Sequence, residues 1–231
     1  MLKFQQKEKN MENFLNILKN CPLFEHIDDE SLMRMLKCLG ARCETYEKKS
    51  TVLQEGISVK HLGIVLSGSV QIIQIDYYGN RSIISTVTEG QLFAEAFACA
   101  DVTSLPVSIV ANERSNIMLI DCDHILHTCK NGCGFHQQMI YNLMKDMAQK
   151  TIDFHKRIEV TSKRTTREKL LTYLSIVSKE KGSSRFDIPF DRQELADYLE
   201  VDRSGLSAEI SKLRNEGVLK SNKSHFVLLL N

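Results

Sequence analysis

No stretch of this 231-residue chain is apolar for long enough to supply the roughly 18 residues that a membrane-crossing helix needs. No membrane span is therefore expected. Met1 to Asn20 mixes Lys, Gln, Glu and Asn with isolated apolar residues. It lacks the apolar core of an export signal, so the expected location is the cytoplasm. The chain also lacks a Gly-rich phosphate loop, a nucleophile elbow and a His-Glu-x-x-His helix. These absences argue against an enzyme, and no cofactor is indicated. Cysteine is present seven times, an odd number, and widely spread, which points to reduced thiols and not to a disulfide framework. Net charge is almost absent as well, at +1, and by itself it speaks neither for nor against a polyanionic partner.

The distribution of charge says more. Residues 1–155 hold 15 Lys and Arg against 18 Asp and Glu, whereas residues 156–231 hold 15 against 11. Basic charge is concentrated in the last third, where a polyanion would be attracted, although a solvated surface gives the same count. The length allows two modest domains or one large one.

Met11, Phe14, Leu15 and Leu18 have helical spacing, Pro22 interrupts it, and Asp28 can cap a second helix with Leu32, Met33, Leu36 and Leu39. From about Ala41 to Asp121 the pattern turns to short β-like runs: Val52-Leu53, Leu62 to Leu66, Val70 to Ile75, Ser82 to Val87, Val107 to Ala111 and Ile117 to Ile120. Gly56, Gly68, Gly79 and Gly90 punctuate them, and Asp76 to Asn80 suits a hairpin tip. Many short strands at near-regular spacing predict a barrel or sandwich. After Asp123 the helical period returns, and Gly132 and Gly134 separate a short helix from a long one over about Phe135 to Ser162. Ile140, Leu143, Met147, Phe154 and Ile158 approximate a heptad stripe, interrupted by Lys150 and Thr151. A parallel partner helix would cover such a stripe; packing on the helix's own domain is the alternative.

Ser162 to Arg167 is polar and basic and reads as a hinge, followed by a helix over Glu168 to Lys179 and a short strand around Phe186 to Ile188. Asp191 can cap a helix containing Leu195, Ala196 and Leu199. Glu200-Val201-Asp202 makes a short turn, and Asp202 can cap a second helix with Leu206, Ile210 and Leu213 inside and Gly217 at its end. This is the pattern of a helix-turn-helix, whose second helix enters the major groove by its N-terminal end. Its outer face opens with Arg203, Ser204 and Ser207, and Arg can bond guanine O6 and N7 together. Val218-Leu219 and Phe226 to Leu230 flank a polar tip, so Lys220 and Lys223 sit on a hairpin wing that could touch phosphate. An ordinary helical hairpin followed by a strand pair has the same local pattern.

These segments resemble the Crp/Fnr family of bacterial transcription regulators over nearly the whole chain. The resemblance rests on Leu66-Ser67-Gly68-Ser69-Val70, Tyr78-Gly79, Glu89-Gly90-Gln91-Leu92-Phe93-Ala94-Glu95, Asp191-Arg192-Gln193-Glu194-Leu195-Ala196 and Val201-Asp202-Arg203-Ser204. It implies an α+β chain. Residues 1–134 would form an effector-sensing β-roll (a double-stranded β-helix, jelly-roll-like) with N-terminal helices. Residues 135–162 would be the dimerisation helix, and 163–231 a winged helix-turn-helix. It further implies a homodimer on a two-fold symmetric duplex site, and RNA polymerase as a partner if the protein is an activator. Arg203, Ser204 and Ser207 would read bases; Arg192 and Gln193 would hold phosphates.

The resemblance also implies a pocket around Phe93, Glu95, Leu105 and Val107 for a small effector. Cyclic-nucleotide-binding members carry a Gly-Glu pair for the ribose and an Arg-Ser pair for the phosphate. Here Ala94-Glu95 and Leu105-Pro106 stand at those places. A buried phosphate without a cation is strongly disfavoured, and Pro106 removes an N–H donor. The effector is therefore expected not to be cyclic AMP; a constitutively active, degenerate sensor is the other reading. Cys21, Cys38 and Cys43 are too dispersed for the family's iron–sulfur pattern. Cys122, His124, His127, Cys129, Cys133 and His136 are denser; Cys122, Cys129, Cys133 and His136 are candidates for a metal, and the cysteines among them for a redox-sensing thiol. Their spacing matches no zinc signature, and small buried thiols beside surface histidines account for it as well. No metal is assigned.

Overall fold

The computed structural model describes residues 14–75, 77–78, 81–127 and 134–229. The chain divides into two units, Met1–Met147 and Ala148–Asn231.

The first unit opens with α1 (Leu15–Lys19), a 3-10 turn at Pro22–Phe24 and α2 (Asp29–Cys38). Pro22 begins that turn, where its missing N–H is not needed, and the Asp28 carboxylate accepts the Ser31 N–H at 3.0 Å to cap α2. Eight strands come next among the described residues: β1 (Arg42–Tyr46), β2 (Thr51–Leu53), β3 (His61–Ser67), β4 (Ser69–Ile75), β5 (Arg81–Thr88), β6 (Leu92–Phe93), β7 (Ser108–Ala111) and β8 (Ser115–Asp121). They form two four-stranded sheets, ordered β1-β8-β3-β6 and β2-β7-β4-β5. The first strand pairs with the last, the second with the seventh, the third with the sixth and the fourth with the fifth, all antiparallel. That nested pairing is a double ribbon wound on itself, the jelly-roll solution to exposed strand edges.

β3 and β8 are apolar nearly throughout because both of their faces are covered. Side chains alternate across a strand, and the packing obeys that alternation. Leu62, Ile64, Leu66, Met118 and Ile120 join a core with α1, α2 and the 3-10 turn. Val65, Ile117 and Leu119 join a second core with Val70, Val87, Phe93 and Ile109.

Three features depart from the sequence expectation, the first being the two-residue strand β6 (Leu92–Phe93), which is not among the expected runs. β1 is polar and largely exposed, so no apolar alternation announces it. Inside the stretch read as strands lies α3 (Glu95–Cys99); its Ala-rich sequence and acidic first residue favour a helix. After β8 comes α4 (Cys122–Leu126), capped by Asp121.

The long helix α5 runs from Gly134 to Thr161. Up to Met147 it belongs to the first unit. There the Asn142 side chain donates to the Leu23 and Glu25 carbonyls at 3.0 and 2.8 Å, and Lys145 pairs with Glu25 at 2.7 Å.

In the second unit Val160, at the end of α5, packs in one core with the C-terminal helices and strands. These elements are α6 (Thr166–Lys181), β9 (Arg185–Asp187), α7 (Arg192–Leu199), α8 (Arg203–Asn215), β10 (Leu219–Asn222) and β11 (His225–Leu228). The helix expected from Glu168 begins earlier, because Thr165 and Glu168 form a reciprocal capping box. The wing is a three-stranded sheet, β10-β11-β9, and its tip is only Lys223-Ser224, since Asn222 already pairs with His225. Met11, Asp76, Gly79, Asn80, Cys129, Gly132, Cys133 and Leu230, which the sequence pattern brings forward, lie outside the described residues.

Candidate nucleic-acid interface

The geometry of the α7–α8 pair is fixed by local chemistry. Asp191 accepts the Glu194 N–H at 2.8 Å while its own N–H donates to the Glu194 carboxylate at 2.7 Å. Leu195, Ala196 and Leu199 are buried, and the small Ala196 permits a close approach of neighbouring backbone. α7 stops at Glu200, a non-glycine residue in the left-handed region with φ 52°. The Val201 N–H returns to the Ala196 carbonyl at 3.0 Å. Lys169 of α6 donates to the Leu199 and Glu200 carbonyls at 3.0 and 3.2 Å. A cation thus caps the negative end of α7 and clamps the turn.

Asp202 caps α8. Its carboxylate accepts the Gly205 N–H at 2.8 Å and also the Ser204 hydroxyl. These two hydrogen bonds hold the Asp202 carboxyl below the ordinary carboxylate range. Leu206, Ile210 and Leu213 face the core. Arg203 and Ser207, four residues apart, are exposed together on the opposite side. Ser204 is exposed too, but its hydroxyl proton is committed to the cap. At the far end of α8, Arg167 of α6 holds Glu216 through its two terminal guanidinium nitrogens, Nη1 and Nη2.

Arg192 opens α7 and is half-buried, with its guanidinium carbon 6.0 Å from the Phe226 ring centroid. Its Nη1 is buried without a hydrogen-bond partner. Burial first, and then the positive charge of Arg203, push Arg192 below the usual guanidinium range. Two arginines at two helix N-termini therefore act on each other, and an anion between them would relieve both costs. The Gln193 amide donates to Asp197 at 2.8 Å. Lys220 and Lys223 are exposed on the wing, with Lys223 held at φ 52°. Sequence reasoning missed Lys169 and Phe226: their roles arise between distant segments, and only the cap residues carry a local signal.

The candidate effector residues lie in the first unit. Phe93, Leu105 and Val107 are buried in one apolar cluster. The Phe93 ring lies over Gly63, where an added Cβ would come within 2.0 Å of it. Ala94 keeps φ 61°, the conformation glycine adopts freely, and Glu95 behind it is buried. Among the Lys and Arg residues whose burial is described, none is a buried residue.

Of the helix stripe, Leu143 is 2% exposed and lies in the first unit's own core beside Met139, so it is not free to meet a partner. Ile140 and Met147 pack partly against that core. Met144, Phe154 and Ile158 are exposed at 64%, 60% and 61%. Among the thiol and imidazole candidates, the buried His136 ring lies 3.2 Å from the His124 carbonyl, and Cys122 faces a different cysteine, Cys99. No group of three metal-capable side chains occurs among the described residues. No helix there is long and apolar enough to cross a membrane.

Comparison with known proteins agrees with this geometry. Residues 43–131 match the cyclic nucleotide-binding domain family, and residues 168–231 match the Crp-like helix-turn-helix domain family. The transcriptional activator protein FnrL of Cereibacter sphaeroides is 30% identical over 76 residues, 29% of this chain; the match spans about a third of that relative's length, 31%. The global regulator CLP of Xanthomonas campestris has a similar fold, with TM-score 0.56 and 17% identity over 88% of this chain and 100% of its own. A cyclic nucleotide-binding domain from Methylobacillus flagellatus KT gives TM-score 0.55 and 18% identity over 65% of this chain and 83% of its own. Two domain types in this order, on a jelly roll, a long helix and a winged helix-turn-helix, make the chain a member of the Crp/Fnr family of transcriptional regulators.

Proposed function

We propose that the chain acts as a homodimer that reads a two-fold symmetric duplex site through the leading edge of α8, under the control of a small effector other than cyclic AMP. The observation that carries the reading is the capped α8 N-terminus, which presents exposed Arg203 and Ser207 beside the under-solvated Arg192. Arg203 is the guanine reader, and Ser207 and Ser204 contact neighbouring bases, Ser204 as an acceptor because its proton is used in the cap. Arg192, Gln193, Lys220 and Lys223 bind phosphates and fix the register. If the protein activates transcription, RNA polymerase is the further partner.

The dimer seam in this reading is the exposed part of α5. Met144, Thr151 and Ile158 succeed one another at sevens, as do Met147 and Phe154, and this supports a two-helix seam without Leu143.

CLP is described as responsive to c-di-GMP. The cluster around Phe93, Leu105 and Val107 is apolar and the charged residue buried next to Ala94 is the acidic Glu95, which disfavours a phosphate ligand in this chain. The Phe93 ring over Gly63 favours a second reading, a sensor that holds no ligand at all. Thermal unfolding with cyclic AMP, c-di-GMP and apolar metabolites separates the two, since a true effector raises the midpoint.

The test of the DNA reading is selection of bound duplexes from a random pool. The expected product is a palindrome with half-sites about one helical turn apart. Enrichment of single, unpaired half-sites would refute the dimer, and no enrichment would refute the reading.

A further inference from the structure

Cys99 and Cys122 are 23 positions apart, yet their Sγ atoms lie 2.9 Å from each other. Cys99 ends α3, the helix that begins just after Ala94 and carries Glu95. Cys122 begins α4, directly after β8. Cys122 is 2% exposed in the apolar cluster that holds Phe93 and Leu105, and Cys99 packs half-buried against it. Cys99 is thus the less buried of the two thiols, and Cys122 is the sheltered one.

We propose that these two cysteines form a redox modification site, a dithiol that a hydroperoxide closes into a disulfide stapling α3 to α4. A hydroperoxide needs one reachable thiol to attack and a second thiol within reach to resolve the product. Cys99 is the attacking thiol. It is the less buried of the two, and when Cys122 donates in the hydrogen bond they share, that bond holds the Cys99 thiol below the usual thiol range, against the opposing effects of burial, Glu95 and Asp101. In that arrangement the shared bond and burial push the Cys122 thiol up, so it stays a thiol until the second step.

The Cys99 thiolate attacks one peroxide oxygen and breaks the O–O bond. With one proton taken up, this yields Cys99 sulfenic acid and one water, or an alcohol from an alkyl hydroperoxide. The Cys122 sulfur then attacks the Cys99 sulfur and expels the hydroxyl, which leaves as a second water with the Cys122 proton. Two thiols are oxidised by two electrons and the peroxide is reduced. From 2.9 Å, reaching a bond of about 2.05 Å requires an approach of roughly 0.9 Å, within the reach of a side-chain rotation at a helix end. In a reducing compartment such a bond is transient, and a dithiol reductant reverses it by exchange. The closed loop contains Leu105 and Val107, so oxidation fastens the cluster around Phe93 from both ends.

The experiment uses the full, reduced protein treated with a small excess of hydrogen peroxide. Remaining thiols are alkylated, and the protein is digested and mapped by mass spectrometry with and without dithiothreitol. The expected result is a linked peptide pair joining Cys99 to Cys122, lighter than its parts by two hydrogens and released by the reductant. In Cys122→Ser, Cys99 is instead trapped by dimedone as sulfenic acid and the link is lost. If that variant fails to fold, Cys122→Ala replaces it, and the wild-type map stands by itself. Full alkylation of both residues after peroxide, in protein whose circular dichroism is unchanged, would overturn the proposal. So would predominant linkage of Cys99 to Cys129 or Cys133. Neither readout involves DNA.

Discussion

The second unit displays its chemistry and the first unit hides it. On the α7–α8 pair the residues singled out for function are exposed or half-exposed cations and hydroxyls at helix N-termini, with an apolar core behind them. In the jelly roll the residues singled out are themselves core: Phe93, Leu105 and Val107 are as buried as the valines around them. The difference teaches that a polyanion reader can be recognised by what it leaves uncompensated at the surface. A small-molecule pocket of apolar residues has no such signature, because the same side chains serve packing.

That contrast can be broken by substitution. Phe93→Ala removes a fully buried ring and is expected to cost about 3–5 kcal/mol in unfolding of the first unit. Calorimetry checks this, and duplex discrimination should stay intact. Wild-type stability after that change would mean that the ring is ligand-facing and not structural.

Along α5 the same contrast separates Leu143 from Phe154. Leu143→Asp places a charge in a closed core and unfolds the first unit. Phe154→Asp, at a 60% exposed position, leaves the fold intact and converts dimer to monomer in sedimentation. A Phe154→Asp protein that still sediments as a dimer would remove this seam.

Arg203→Ala should leave the melting temperature unchanged and relax preference at one base step by about 1–3 kcal/mol. Competition binding with single-substituted duplexes reads the effect.

The smallest effect is that of acid on the α8 cap. The Asp202 carboxyl is held low only in the folded state. Its contribution is therefore complete above the unfolded-chain value of about 3.9. It is lost as pH falls through the lower folded value. Asp202→Asn should flatten that part of the stability–pH curve, and an unaltered curve would show that the cap contributes nothing.

Much of the fold was legible because periodicity and breakers are local. The strand runs from Leu62 to Ile120, Pro22 at its turn, and the caps at Asp28, Asp191 and Asp202 all announce themselves within a few residues. What escaped is informative. β1 is polar because it lies at a sheet edge with little to bury. α3 was absorbed into a β-rich stretch since five residues cannot establish a helical period. Leu143 fell on a heptad because helix periodicity is the same whether the covering surface is the unit's own core or a partner. For the DNA-reading edge, residue type and cap spacing suffice to nominate Arg203. The Lys169 clamp, the Phe226 platform beneath Arg192 and the Cys99–Cys122 pair need tertiary structure, because each joins segments more than 20 residues apart.

The central claim is that exposed basic side chains on the second unit bind duplex DNA. Its most direct measurement is the affinity for a selected duplex as a function of salt, for the wild-type chain and for a Lys220→Ala, Lys223→Ala double variant. The account predicts a linear fall of log affinity with log salt, with a slope shallower in the variant by about one unit per phosphate that is no longer neutralised. An affinity that ignores salt, or no affinity for any duplex at low salt, would contradict it.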